Sequence, residues 1–475
     1  MAQHRENEIP TRLLMWQRIR EYAVPPSMIE TATARRVVGD WAGACAAARV
    51  DVDLDLRAVR DGYGSDFVTH LRADLRRLAP DLLRWHMPRI APDGRLRPDL
   101  TISLAEYRHV GPSPLHLVVR TPPAWADTGQ RMSLALWEGS GNGVHGHHPH
   151  PHPDRRFRLD LHRHLWDSTR TSELARRCGA SGASHSASLP PQETVHGAQF
   201  AVTRWAAEAE LLLRAEERSR GAFAVRLSAG SVGVYELVAP DDSHAPSLRL
   251  LREPLPPRRV AELPLLPEAA AQTLPDLALL RAGLVVAERM HPLVADALAT
   301  VDRPAVASRR VNGDPHRVDC RGEVHRIALR DGVLTAVDHD PAQLHREHLL
   351  ATLGGPALPC LRAIDTLHRN PEALPAVRER LRHGDFTGAL TVVEGLLGPD
   401  AILRDGPLRE ALDSAVAGRI DDALFRSGLA GDAAGNVSPA KQPRTQHRPR
   451  LNRHAPPRVR SKAAGRARPR TGQFA

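Results

Sequence analysis

Lysine is almost missing from this chain. Its 475 residues hold two, Lys441 and Lys462, both close to the C-terminal end. That excludes Schiff-base and lysine-base chemistry from the rest of the chain. Cysteine is nearly as scarce. Cys45, Cys178, Cys320 and Cys360 stand far apart, with no C-x-x-C pair and no zinc-finger spacing. Four scattered cysteines make no disulfide framework, so a reduced, cytoplasmic protein is expected. Aromatics are 4% of the residues, which leaves the cores to Leu, Val and Ala. No run approaches the roughly 20 apolar residues of a membrane helix. The opening "MAQHRENEIPTRLLMWQRIREYAVPP" has no uninterrupted apolar stretch, so no secretory signal is expected.

Catalytic motifs are missing as well. There is no G-x-x-x-x-G-K-[ST] phosphate loop, no G-x-G-x-x-G between strand and helix, and no G-x-S-x-G elbow. "GSGNG" at 139–143 runs into a proline-rich loop rather than a helix N-terminus able to hold phosphate. "CGASGASHSAS" is serine-rich but mis-spaced for a nucleophile.

The length implies two or three domains. Formal charge is +10, yet eleven Lys and Arg and no Asp or Glu lie between Val437 and Ala475, so the remainder is near neutral. Basicity belongs to the tail. Abundant Arg, Ala, Pro and Gly are also what a GC-rich genome writes, which discounts arginine as a sign of phosphate binding.

Periodicity predicts an α+β protein. Residues 1–24 form an extension with a helical run from 11. Residues 25–91 read as an all-helical module: Ser27 and Glu30 have capping-box spacing, Gly39-Asp40 breaks the next helix, and Pro80 splits a third that begins near Asp66. Residues 92–260 read as a β-rich α+β domain with four short strands, "LTISLAEY", "LHLVVRTP", "RMSLALWE" and "RFRLDLHRHLWD". A Ser/Gly/Ala linker follows at 168–197, then a helix from Phe200, a hairpin, and an irregular stretch at 241–262. Residues 261–340 carry helices and a three-stranded antiparallel meander turned at Arg321-Gly322 and Asp331-Gly332. Residues 341–428 are helical again, and 429–475 form a disordered basic tail.

Three segments, "ARRVVGDWAGACAAARVDVDLDL", "LRRLAPDLLRWHMPR" and "VDCRGEVHRIALRDGVLTAVDHD", make the chain resemble uncharacterised proteins of GC-rich actinobacteria. The resemblance implies a lineage and no chemistry. "GDWAGA" at Gly39 and "GDFTGA" at Gly384 echo one another and resemble the turn and second helix of tetratricopeptide repeats. Without a regular period they imply helical-hairpin packing rather than an array.

Histidine is concentrated in "NGVHGHHPHPHPDRRFRLDLHRHLWD". His145, His147, His148, His150 and His152 alternate in a proline-stiffened loop, which fits loose metal binding at most or a tolerated surface spacer. Asp160, His162 and His164 would share one face of the expected fourth strand, neighbours roughly 7 Å apart at Cα. That fits either a divalent transition-metal site or a solvated polar face. A second cluster, Asp338, His339, Asp340, His345, Glu347 and His348, is neither H-E-x-x-H nor H-x-x-E-H. It reads first as Asp340 and Pro341 beginning a helix.

In the tail, Arg448, Arg450, Arg453, Arg458, Arg460, Lys462, Arg466, Arg468 and Arg470 would contact nucleic acid or an acidic protein, or stay solvated. The resulting expectation is a non-catalytic interaction or scaffold component with protein partners. The alternatives are a metal-dependent, hydrolase-like enzyme using residues 160–164 and a nucleic-acid-associated protein acting through the tail.

Overall fold

The computed structural model describes residues 11–108, 114–139, 148, 150–179, 200–228, 230–238, 247–251, 255–299 and 317–429. It shows an α+β fold with three small sheets and three apolar cores. The chain divides into two units, Met1–Gly428 and Leu429–Ala475. All described helices and strands lie in the first. The basic residues of the expected tail, and the disorder expected of it, fall outside the described residues, as do His145 and His147.

The first sheet has the order β1-β4-β3-β2, with β1 (Val50–Asp53), β2 (Thr101–Tyr107), β3 (Leu115–Arg120) and β4 (Met132–Trp137). Three of these are expected strands. β1 is a correction: it lies inside the stretch read as wholly helical and pairs parallel to β4. Most β2, β3 and β4 residues are buried on both faces, hence their near-continuous apolar sequence. Helices Leu56–Arg77 and Pro80–His86 bury Leu71, Leu75, Leu82 and Leu83 in the same core, together with Leu277 and Leu280 from Pro275–Arg281. Residues 25–91 thus share their core with the strands after residue 92. Ser27 is a second correction. It sits within the helix Pro26–Val37, whose N-cap is Pro25, and offers its carbonyl to Thr31.

The expected fourth strand is absent. Residues 157–167 follow local turns, with His162 N–H donating to Leu159 O, Leu165 N–H to His162 O and Trp166 N–H to Arg163 O. A 3₁₀ turn covers Arg163–Leu165. Phe157, Leu159, His162, His164, Leu165 and Trp166 are all buried, so the apolar–polar alternation does not separate core from solvent.

The second core lies between helix Trp205–Ala215 and a sheet of β5 (Gly221–Arg226), β6 (Val232–Val238) and β7 (Ser247–Leu250), the last in the stretch expected to be irregular. The third core lies under β8 (Arg317–Cys320), β9 (Glu323–Arg330) and β10 (Val333–Ala336), ordered β10-β9-β8. Both expected turns are present. Arg321 and Gly322 have φ of 59° and 87°, and Asp331 and Gly332 have 51° and 78°. Two successive positive φ values give the twist that a two-residue hairpin prefers. Five helices follow, Pro341–Thr352, Pro359–Arg369, Leu374–Arg382, Phe386–Leu397 and Pro407–Arg426.

The sequence echo is a structural one. Gly39 and Gly384 take φ of 79° and 76° before Asp40 and Asp385. Each Asp accepts from the backbone N–H three residues on, Gly43 at 2.8 Å and Gly388 at 3.2 Å. A Cβ on either of those glycines would lie 2.1 Å from the capping carboxylate, so a side chain there would push the cap out of place. The second corner also docks on the first core. Arg49 donates to His383 O (2.9 Å) and Asp385 (3.3 Å), while Arg426 holds Asp53 at 2.7 and 2.8 Å.

Candidate metal centre

The third sheet gathers four side chains that the sequence keeps apart. β8 ends on Cys320, the tight turn reverses the chain, and Val318 comes opposite His325 on β9. Period-two alternation then puts Val318, Cys320 and His325 on one face. β10 returns beside β9, with Ala336 paired to Ile327, and the chain leaves it with Val337 N–H on Arg326 O at 3.0 Å. His339 thereby arrives next to His325. Asp340 ends the turn as N-cap of the following helix, its carboxylate accepting from Ala342 N–H, with Pro341 at the first helical position as expected. Cys360 is the second residue of helix Pro359–Arg369, which packs across the sheet.

One donor atom from each of Cys320, His325, His339 and Cys360 lies within 4.8 Å of all the others. Among the described residues this is the one such gathering of three or more His, Cys, Asp or Glu side chains. Four donors around a tetrahedral zinc at about 2.0–2.3 Å stand roughly 3.3–3.8 Å apart, inside the 4.8 Å that encloses these four atoms. Cys320, His339 and Cys360 are buried. His325 Nδ1 and His339 Nε2 face each other at 2.6 Å, and the rings meet edge to face with centres 4.1 Å apart. The other nitrogen of His325 lies 3.2 Å from Glu323 Oε2, a carboxylate that fixes ring orientation as the outer partners of metal ligands do.

Burial pushes the Cys360 thiol up to about 12, helped by its hydrogen bond with Cys320. His339 is pulled down by burial and then by the neighbouring His325. Two cysteine sulfurs and two imidazoles facing inward are a donor set that a dipositive ion would complete, because a coordinating thiol gives up its proton to the metal.

The histidines singled out by sequence lie elsewhere. His162 and His164 are buried, 2% and 4% exposed, instead of lining a strand face. His162 Nδ1 lies 2.9 Å from Arg158 O, and its Nε2 is 3.2 Å from Glu208 Oε2. Arg177 Nε donates to Glu208 at 3.0 Å, and Asp160 is engaged by Arg158 at 2.7 Å. Burial raises the Glu208 carboxyl, but His162 and Arg177 outweigh it and hold the group far below the usual carboxylate range. This is an ion-paired core, and it does not bring Asp160, His162 and His164 together as ligands.

In the proline loop, His148 contacts Thr121 O (2.9 Å) and His150 O (3.0 Å), His150 stands 4.0 Å from Asp99, and His152 packs on Trp137. Of the second sequence cluster only His339 joins the centre. Asp338 binds Arg326, Glu347 accepts from Arg321, and His345 and His348 are exposed. The spacing C-x4-H-x13-H-x20-C contains no local signature, because each ligand comes from a different element. The only local hints were Cys320 and His325 flanking one predicted turn.

Set against protein-family models, curated proteins and solved structures, the chain matches none. The centre is read from its own geometry.

Proposed function

We propose that the chain binds one zinc ion through Cys320, His325, His339 and Cys360, and that this centre braces a non-catalytic module for binding protein partners. The convergence of two sulfur and two nitrogen donors on one point supports this. Four protein ligands fill a tetrahedral zinc and leave no position for substrate, which is the arrangement of structural sites. The ion would join β8, β9, the end of β10 and helix Pro359–Arg369, which otherwise meet only through the small third core. The partner-binding half of the reading draws on helix Pro341–Thr352, which buries no residue and leaves Leu349 and Leu350 half exposed.

The test is the metal content of untagged full-length protein, followed by the absorption of its cobalt-substituted form. One equivalent of zinc is expected, with thiolate-to-cobalt charge-transfer bands, both lost in Cys360→Ser and His339→Ala. Metal-free parent protein, or a Cys320–Cys360 disulfide in its place, would overturn the proposal.

A further inference from the structure

A separate cavity in the first core has a volume of about 430 Å³, within the range of small-molecule sites. Much of its wall is apolar, including Trp16, Met87, Leu159 and Leu274. The rest is cationic. Six arginines line it against a single carboxylate, Glu268. Two are neutralised, Arg20 by Asp276 at 2.7 Å and Arg177 by Glu208. Arg12, Arg89, Arg97 and Arg204 have no carboxylate at ion-pair distance among the described residues. Arg12 donates to Gln272 Oε1, Arg89 to Arg84 O (2.9 Å) and Arg204 to Gln272 O (3.1 Å).

Several donors in this wall are buried with no partner at all. They are the Nε atoms of Arg89, Arg97 and Arg204 and Trp16 Nε1, and the ring nitrogen His86 Nε2 is likewise unpartnered. Leaving a buried donor unpaired is costly, and more so when it is charged. Four guanidinium groups facing one cavity with Glu268 as the only lining carboxylate are a larger cost of the same kind. Burial lowers Arg12, Arg97 and Arg204, and brings Arg89 down to about 9, in keeping with missing negative charge.

We infer that this cavity is a binding site for an amphipathic organic anion, an oxyanion head held by Arg97, Arg204 and their neighbours with an apolar body against Trp16, Met87 and Leu159. Guanidinium forks match carboxylate and phosphate oxygens, and such charge-assisted bonds are roughly twice as strong as neutral ones. The site is independent of the proposed zinc centre and stands or falls separately from it.

Calorimetric titration of the full-length chain tests it with three eight-carbon probes, octanoate, octyl phosphate and octanol. One anion is expected to bind at one per chain, at least tenfold tighter than octanol. The tighter of the two anions names the head as carboxylate or phosphate. Arg97→Gln and Arg204→Gln should each weaken that anion at least tenfold while leaving octanol unchanged. The parent comparison needs no variant to fold. Equal affinity for anion and alcohol, or no binding of either anion, overturns the inference.

Discussion

His162 and His164 stand with ring centres 5.9 Å apart, and His325 and His339 with centres 4.1 Å apart. Both pairs are edge to face and largely buried. Their surroundings differ. Around the first pair the inward-facing groups are Glu208 and Arg177, paired with one another, while His162 and Arg177 also meet backbone carbonyl oxygens. Around the second they are two cysteine sulfurs, with the carboxylate of Glu323 reaching in from outside. Proximity of imidazoles therefore does not by itself distinguish an ion-paired core from a candidate metal centre. What matters is whether the neighbours already satisfy them.

The largest test of this contrast is chelation. Binding energy at structural zinc sites is folding energy, on the order of 10 kcal/mol in zinc-finger peptides. Excess chelator should expose residues 317–428 to protease or hydrogen exchange while the first core, with His162 and His164, stays protected. Simultaneous loss of both regions would show that the two clusters are not independent.

Next is Glu208→Gln, which strands Arg177 and His162 in the core. Breaking one side of a buried ion pair costs about 3–5 kcal/mol, readable by urea unfolding, with zinc content unchanged. A fall in bound metal would break the comparison from the other side.

A pH dependence of the first pair follows. Burial holds His164 well below its ordinary value of 6.5, reinforced by His162 and Arg177, and Glu208 lies far below its ordinary 4.5. Both folded values are depressed, so the unfolded chain binds more protons in acid. Their stabilisation is complete above pH 6.5, begins to fall below that as His164 titrates in the unfolded chain, and falls further below 4.5 through Glu208. Urea midpoints from pH 8 to 4 should show the first decline in the parent and a shallower one in His164→Ala.

The smallest effect is expected of Glu323→Gln. It removes an exposed orienting carboxylate and should weaken zinc by about tenfold in chelator competition, the low end for outer partners. No change would assign the orientation of His325 to packing alone.

Much of the architecture was legible. Three strands of the first sheet, the β5–β6 hairpin and both meander turns follow from apolar runs and from Gly at positive φ. The paired "GD-aromatic-x-GA" corners also follow, since αL Gly, capping Asp and a bare third position are all local requirements. What failed was non-local. β1 is four residues of Val-Asp alternation whose pairing with β4 depends on strands eighty residues away. Segment 157–167 looked like a strand because its polar residues alternate, but its histidines are buried by ion pairing that involves Arg177 and Glu208. The candidate centre was hidden for the same reason. His339 was in view, but Cys320, His325 and Cys360 acquire meaning only once the meander and the helix after it have met.

That meeting has a consequence for how the chain is made. Cys360 lies forty residues beyond Cys320, so three of the four donors leave the ribosome well before the last. The nascent meander would carry an incomplete ligand set until helix Pro359–Arg369 emerges, and only then could a metal lock it.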